Sequence, residues 1–310
     1  MFLLKRVLAI AVGIMLCCVP VLGRAETVTV PAVAAPAAVA PHPLMWVIRD
    51  DDSTIYLFGS VHAMRDGIAW FTPQIEKRFN SAGSLWLEIA DIDDKPRMMA
   101  VARKYMVNPN GHMTDGLSAD EVRDLDQRLA KYGMSSQMLQ GLHKWAVGLL
   151  LVQQQLAGMG LESANGIDVT LLAKARAADM SVQGLETMEE QMSMLSPANA
   201  AEDTEALRMT LKEMDENPAT LDDLIDGWVN GDAAKLEHYF VDKMKAEDPD
   251  GYQRLIVARN RNWVPRIEHM LDGKGTVFIA VGTAHLIGPD GVITLLGQDG
   301  VKAERVPTGE

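Results

Sequence analysis

Cysteine is almost missing from this 310-residue chain: Cys17 and Cys18 stand side by side near the amino terminus, and none follows. Both fall in an amino-terminal segment with the marks of a secretory leader. Lys5 and Arg6 precede an apolar run from Val7 to Leu22, and Gly23 and Ala25 supply small residues at the exit. A signal peptide over 1–25, cleaved after Ala25, is therefore expected, with a periplasmic or secreted product. The run is short for a retained membrane span. Leu16 ahead of Cys17 argues against lipidation. The mature protein would then carry no thiol, which excludes nucleophilic cysteine chemistry and leaves stability to a packed core.

Positive charge is also in short supply, 29 Lys and Arg against 42 Asp and Glu, for a formal charge of -13. No basic footprint for phosphates is present, so nucleic acid is excluded as a partner. Several enzyme signatures are absent too: His-Glu-x-x-His, a Gly-x-Ser-x-Gly elbow, a phosphate-binding glycine loop and a dinucleotide fingerprint.

The chain from 26 to 43 is dominated by Pro, Ala and Val, including Pro31, Pro36, Pro41 and Pro43, which prevents a helix and reads as a tether. A folded domain is expected over 44–306, with a tail at 307–310. Apolar and β-branched runs predict strands at Met45–Arg49, Thr54–Gly59, Ser84–Ile89, Ser181–Leu185, Thr276–Val281 and Val301–Val306. Thr72-Pro73 and the capping box Ser118-x-x-Glu121 predict helix starts. From Ser135 onward, Met138, Leu142, Trp145, Leu149, Val152 and Leu156 predict one core-facing helical stripe. The expected fold is α/β: a mixed central sheet assembled from both ends of the chain, with a large helical region between.

Two segments, TIYLFGSVH and TVFIAVGTAH, run from an apolar strand into Gly59-Ser-Val-His62 and Gly282-Thr-Ala-His285. A glycine ending a buried strand permits a sharp turn at the sheet's carboxyl edge, where open α/β sheets place ligands. Both histidines are expected to face one crevice; ordinary loop hydrogen bonds are the alternative. Glu88 sets a carboxylate inside the apolar strand Leu85-Trp-Leu-Glu-Ile89. It must be paired, bind a cation or take up a proton, and a salt bridge to Arg259 is the bland outcome. Glu186 ends a second strand in the same way, with helix capping as its alternative role. Arg259 and Asn260 share a helix face with Tyr252, Leu255, Ile256, Trp263 and Ile267 and need polar partners there. Arg259 is read as holding Glu88 or Glu186, as clamping an anion, or as a structural ion pair.

These residues carry a resemblance. The stretches Tyr56–His62, Leu85–Glu88, Gly166-Ile-Asp168 with Gly184–Gln191, and Arg259-Asn260 leading to Val281–Gly288 resemble the TraB/PrgY/GumN family, which includes the Tiki metalloproteases. The resemblance implies a fold distantly similar to erythromycin esterases. It also implies a site in which His62 and His285 are metal ligands, Glu88 is a ligand or base, and Arg259 and Asn260 are supports. Two neutral imidazoles and a carboxylate suit a divalent ion, zinc, manganese or cobalt, that activates water to hydrolyse a peptide or protein. Two alternatives stand beside this: a metal-independent histidine/glutamate general-base hydrolase, and an exported peptide-binding or regulatory protein without turnover.

Overall fold

The computed structural model describes residues 40–215 and 219–309. The expected leader, and the tether as far as residue 39, lie outside the described residues. At the far end of the tether, His42 N donates to Val229 O at 2.8 Å and Thr308 Oγ1 donates to Pro43 O at 2.6 Å.

The strands are β1 (Met45–Arg49), β2 (Ser53–Ser60), β3 (Ser84–Leu87), β4 (Ser181–Gly184), β5 (Gly275–Gly282) and β6 (Glu304–Arg305). They form one sheet in the order β4-β3-β5-β2-β1-β6. β4, β3, β5 and β2 run parallel, while β1 pairs antiparallel with both β2 and β6. The chain lays down β2 and β3 with a slot between them, builds the helical middle and the edge strand β4, and returns to fill the slot with β5. The sheet is mixed and drawn from distant parts of the chain, as its patterning predicts.

The parallel strands read as continuous apolar runs because both faces are covered. In β5, Phe278 and Ala280 join the core on one face and Ile279 and Val281 the core on the other. The first face receives Ile75 and Phe79 from helix Pro73–Ser81, Leu149 from Lys144–Gly158, Leu171 from Ile167–Ala177 and Trp228 from Ala219–Val229. The second receives Trp263 and Ile267 from Ala258–Leu271 and Leu296 from Val292–Gln298. At about 1.5–3 kcal/mol for each fully buried Leu, Ile or Phe, these layers supply what a chain without disulfides must find, and they offset the buried charges described below.

Both expected helix starts form: Thr72 accepts from Ile75 N, and Ser118 and Glu121 make a reciprocal capping box. The stripe from Ser135 does not form as one helix. A 3-10 turn at Ser136–Leu139 precedes helix Lys144–Gly158, and Met138 is 68% exposed. A backbone bridge between Val107 and Leu142, with His143 N donating to Met106 O, holds the chain extended where the periodicity would continue the helix. Before Ala258–Leu271 comes a π-helical turn at Gln253–Val257, a feature frequent beside functional sites.

Candidate active site

The carboxyl ends of four adjacent parallel strands converge on one buried cluster. β2 leads into His62, β3 into Glu88, β4 into Glu186 and β5 into His285; helix Ala258–Leu271 brings Arg259 and Asn260. Relative exposure is 2% for His62 and Glu88, 0% for His285 and 1% for Arg259.

Glu88 sits at the centre. Its Oε1 accepts from Gly282 N at 2.8 Å, and its Oε2 accepts from Arg259 Nη2 at 2.5 Å and Gln191 Nε2 at 3.1 Å. Arg259 also donates from Nε and Nη2 to the two oxygens of Glu186, at 3.0 and 2.6 Å, and from Nη1 to Leu255 O and His285 Nε2, at 3.2 and 2.9 Å. All five guanidinium N–H donors are thereby used. Both ion-pair alternatives for Arg259 hold together, since it clamps Glu88 and Glu186 at once. Burial pushes the Glu186 carboxyl above its usual range, and the charge of Arg259 only partly opposes this.

The two histidines share an orientation. His285 donates from Nδ1 to Asn260 Oδ1 at 2.6 Å, and Asn260 Nδ2 donates to Asp290 O, which fixes the amide's sense. His285 Nε2 is then the unprotonated nitrogen. His62 turns Nδ1 to Asp168 Oδ2 at 2.5 Å, and Ser60 Oγ donates to the other oxygen at 2.7 Å. Each imidazole places Nε2 at 4.0 Å from Glu88 Oε1. His62 Nε2 is buried with no hydrogen-bond partner among the described residues.

Alike in orientation, the histidines are tuned apart. Burial lowers both. For His62, the charge and hydrogen bond of Asp168, with Glu88 behind, outweigh burial and raise the imidazole above its ordinary value. For His285, burial is reinforced by the cation of Arg259 and by His62, so its pKa lies well below the ordinary value.

Glycines set the close approaches. A Cβ on Gly59 would meet Thr283 Oγ1 at 2.8 Å, and one on Gly166 would meet His62 O at 2.5 Å. Gly166 thus lets helix Ile167–Ala177 come up against the His62 turn and deliver Asp168. Gly59 O in turn accepts from Trp228 Nε1 at 2.8 Å, pinning the end of β2.

All eight residues singled out in the sequence, Gly59, His62, Glu88, Glu186, Arg259, Asn260, Gly282 and His285, come together here. Asp168 and Gln191 complete the cluster without having been given a role from sequence. In the first turn of a helix an aspartate reads as a dipole-favoured acid, so only its place in the Gly166-Ile-Asp168 motif pointed to it. Among the described residues, no group of three His, Cys, Asp or Glu side chains is spaced to hold a metal ion. No helix among them is long and apolar enough to cross a membrane.

Comparison with known proteins gives the chain's relatives. The chain is 26% identical to Metalloprotease TIKI2 of Xenopus tropicalis, over 86% of the chain and 60% of that protein. It is 24% identical to Metalloprotease TIKI1 of Homo sapiens, over 86% and 62%. An uncharacterized protein of Treponema pallidum (strain Nichols) is 22% identical, over 82% and 80%. The chain thus spans about three fifths of the length of these TIKI relatives. No solved structure matches. The match to the TraB/PrgY/gumN family runs over residues 44–305, from the residue before β1 to the end of β6, and the chain belongs to that family.

Proposed function

We propose that this protein is an exported hydrolase that cuts amide bonds in peptides or proteins with the help of a divalent metal ion held by His62, Glu88 and His285. The observation that carries the reading is the pair of imidazoles, each anchored through Nδ1 and each presenting Nε2 to the same oxygen of Glu88 at 4.0 Å. Metal-binding histidines are oriented by this kind of acceptor behind the ring. The orphaned, buried His62 Nε2 fits a ligand atom awaiting a partner. Two features resist the fit. Arg259 Nη1 occupies the lone pair of His285, and 4.0 Å exceeds the spacing of about 3.4 Å that bonds near 2.1 Å give in a tetrahedral site. Loading would therefore require the three side chains to close inward and Arg259 Nη1 to leave His285.

The bound ion would lower the pKa of water and polarise the scissile carbonyl. The chain's own residues do the rest. Asp168 keeps His62 Nε2 turned inward, and Asn260 does the same for His285. Gly282 N and Gln191 hold the Glu88 carboxylate with Oε1 facing both imidazoles. Arg259 sits 2.5 Å from Glu88 and is placed to stabilise an oxyanion once freed from His285. A proton and an ion compete for His62 Nε2, so acid opposes loading.

A second reading drops the metal and lets Arg259 supply the positive charge, with a histidine as general base. It is favoured by the guanidinium already seated between His285 and Glu88. Metal content and cleavage of a peptide library separate the readings. The metallohydrolase binds about one equivalent of zinc, manganese or cobalt, loses it on His62→Ala and stops cutting in chelator. Cleavage that survives exhaustive chelation selects the metal-free base. Stoichiometric peptide binding without any cleavage selects a binding or regulatory role.

A further inference from the structure

The buried centre borders an open cleft of about 560 Å³ whose wall includes Glu186, Glu190, Asn262, Trp263 and Arg266. Glu186 and Trp263 belong to both: Glu186 is clamped by Arg259, and the Trp263 ring lies 4.5 Å from the His285 ring. A second hollow of about 400 Å³ shares Glu186, Glu190 and Arg266 and continues past Gly184 and Ala90 at the ends of β4 and β3.

By residue count this groove is acidic, but its acids are engaged. Glu186 is held by Arg259 and Gln191, Glu189 pairs with Lys104, and Glu190 closes the capping box with Thr187. Arg266 differs. It donates from Nη1 to Leu185 O at 2.6 Å and makes no ion pair among the described residues, although it lines both hollows and is exposed. Arg97, the other arginine of the second hollow, pairs with Asp91 at 2.6 Å, so Arg266 is the arginine of this groove with no carboxylate in contact, although Glu190 lies near enough to feel its charge. In a chain of formal charge -13 the long-range field does not draw acidic ligands, so any such preference must come from this local cation.

Resting on the peptide-hydrolase reading, we propose that Arg266 is a specificity-determining anchor for a substrate carboxylate. Arg266 follows Arg259 by two helical turns on the same face, about 10 Å along the axis. That separation matches roughly three residues of extended peptide. The groove then takes an extended segment whose carboxylate, from an acidic side chain or the chain's own carboxyl terminus, pairs with Arg266 about three residues from the bond presented to the centre.

The test uses short, terminally blocked neutral peptides carrying a single Glu or a single Gln at the same place, with binding to the chelated wild-type protein read by fluorescence anisotropy. Glu peptides should bind roughly fivefold more tightly than Gln peptides, the size of an exposed bidentate pair. Arg266→Ala should abolish that gap, Arg266→Glu should reverse it and Arg266→Lys should keep its sign. Unchanged melting temperatures would show the variants folded. Free and amidated carboxyl termini on otherwise neutral peptides distinguish the two sources of the carboxylate. With metal added, the cuts should map about three residues from the Glu. The anchor is overturned if wild type shows no Glu preference or if Arg266→Ala retains it. A gap that depends on Arg266 with no peptide cut would leave the anchor standing and remove the hydrolase; cleavage blind to charge would do the reverse.

Discussion

Asp168 meets the Nδ1 edge of His62 at 2.5 Å across 106 residues of sequence, and this contact decides which nitrogen of His62 faces Glu88. The carboxylate also opposes the effect of burial on the ring. In Asp168→Asn, burial acts with less opposition and the His62 pKa falls, which imidazole NMR titration of the chelated protein will read. Loss of the orienting charge should also lower metal affinity or activity by about 10- to 100-fold. An unchanged titration would show that Asp168 does not govern the ring.

The same contact makes the stability of the metal-free protein depend on pH in a definite direction. A folded-state pKa above the unfolded value of 6.5 gives His62 a stabilising contribution that is full below pH 6.5 and is lost as pH rises through the folded value. His62→Gln should therefore destabilise the chelated protein more at pH 6 and below than at pH 9, as urea midpoints will show. His285 has the opposite sign: its contribution is present above pH 6.5 and is lost as pH falls through its depressed folded value. A His62→Gln penalty that grows with pH would contradict the assigned environment.

Arg259 is the residue whose removal should cost most. Arg259→Met leaves Glu88 and Glu186 buried side by side without their cation, and breaking a buried pair of this kind costs about 3–5 kcal/mol. Part of that loss should return in Arg259→Met/Glu186→Gln, which removes one of the stranded charges. Chemical denaturation of the single and double variants measures both.

Gly166 links packing to the site. Adding one methyl would place Cβ 2.5 Å from His62 O, so helix Ile167–Ala177 or the His62 turn must shift. Gly166→Ala should cost about 1–3 kcal/mol and weaken metal binding along with it. Gly67, with a φ of +79° and open space where a Cβ would stand, is the contrasting case: substitution there strains the backbone without touching His62.

Much of the fold is written locally. The β5 run and its twin at β2 are apolar on both faces, so their burial between two layers follows from composition, and the Thr72 and Ser118 caps act within a single turn. The stripe at Met138 failed because helical periodicity takes no account of a bridge such as Val107 to Leu142, made with a segment more than thirty residues earlier.

For the site, sequence alone determined the candidates: two histidines after strand-ending glycines, a carboxylate caught in an apolar strand, and an arginine on a buried helix face. Each breaks its local pattern, and an expensive polar group in an apolar run is visible wherever it occurs. Only the tertiary structure decided their relations. The twin strands lie in register from Thr54 against Thr276, but the second motif is one residue longer, so Ser60 pairs with Gly282 rather than with Thr283. From that offset, near-identical turns deliver one histidine to Asp168 and the other to Arg259 and Asn260. Their opposite tuning follows from charges brought in by remote segments, which no local window of residues contains.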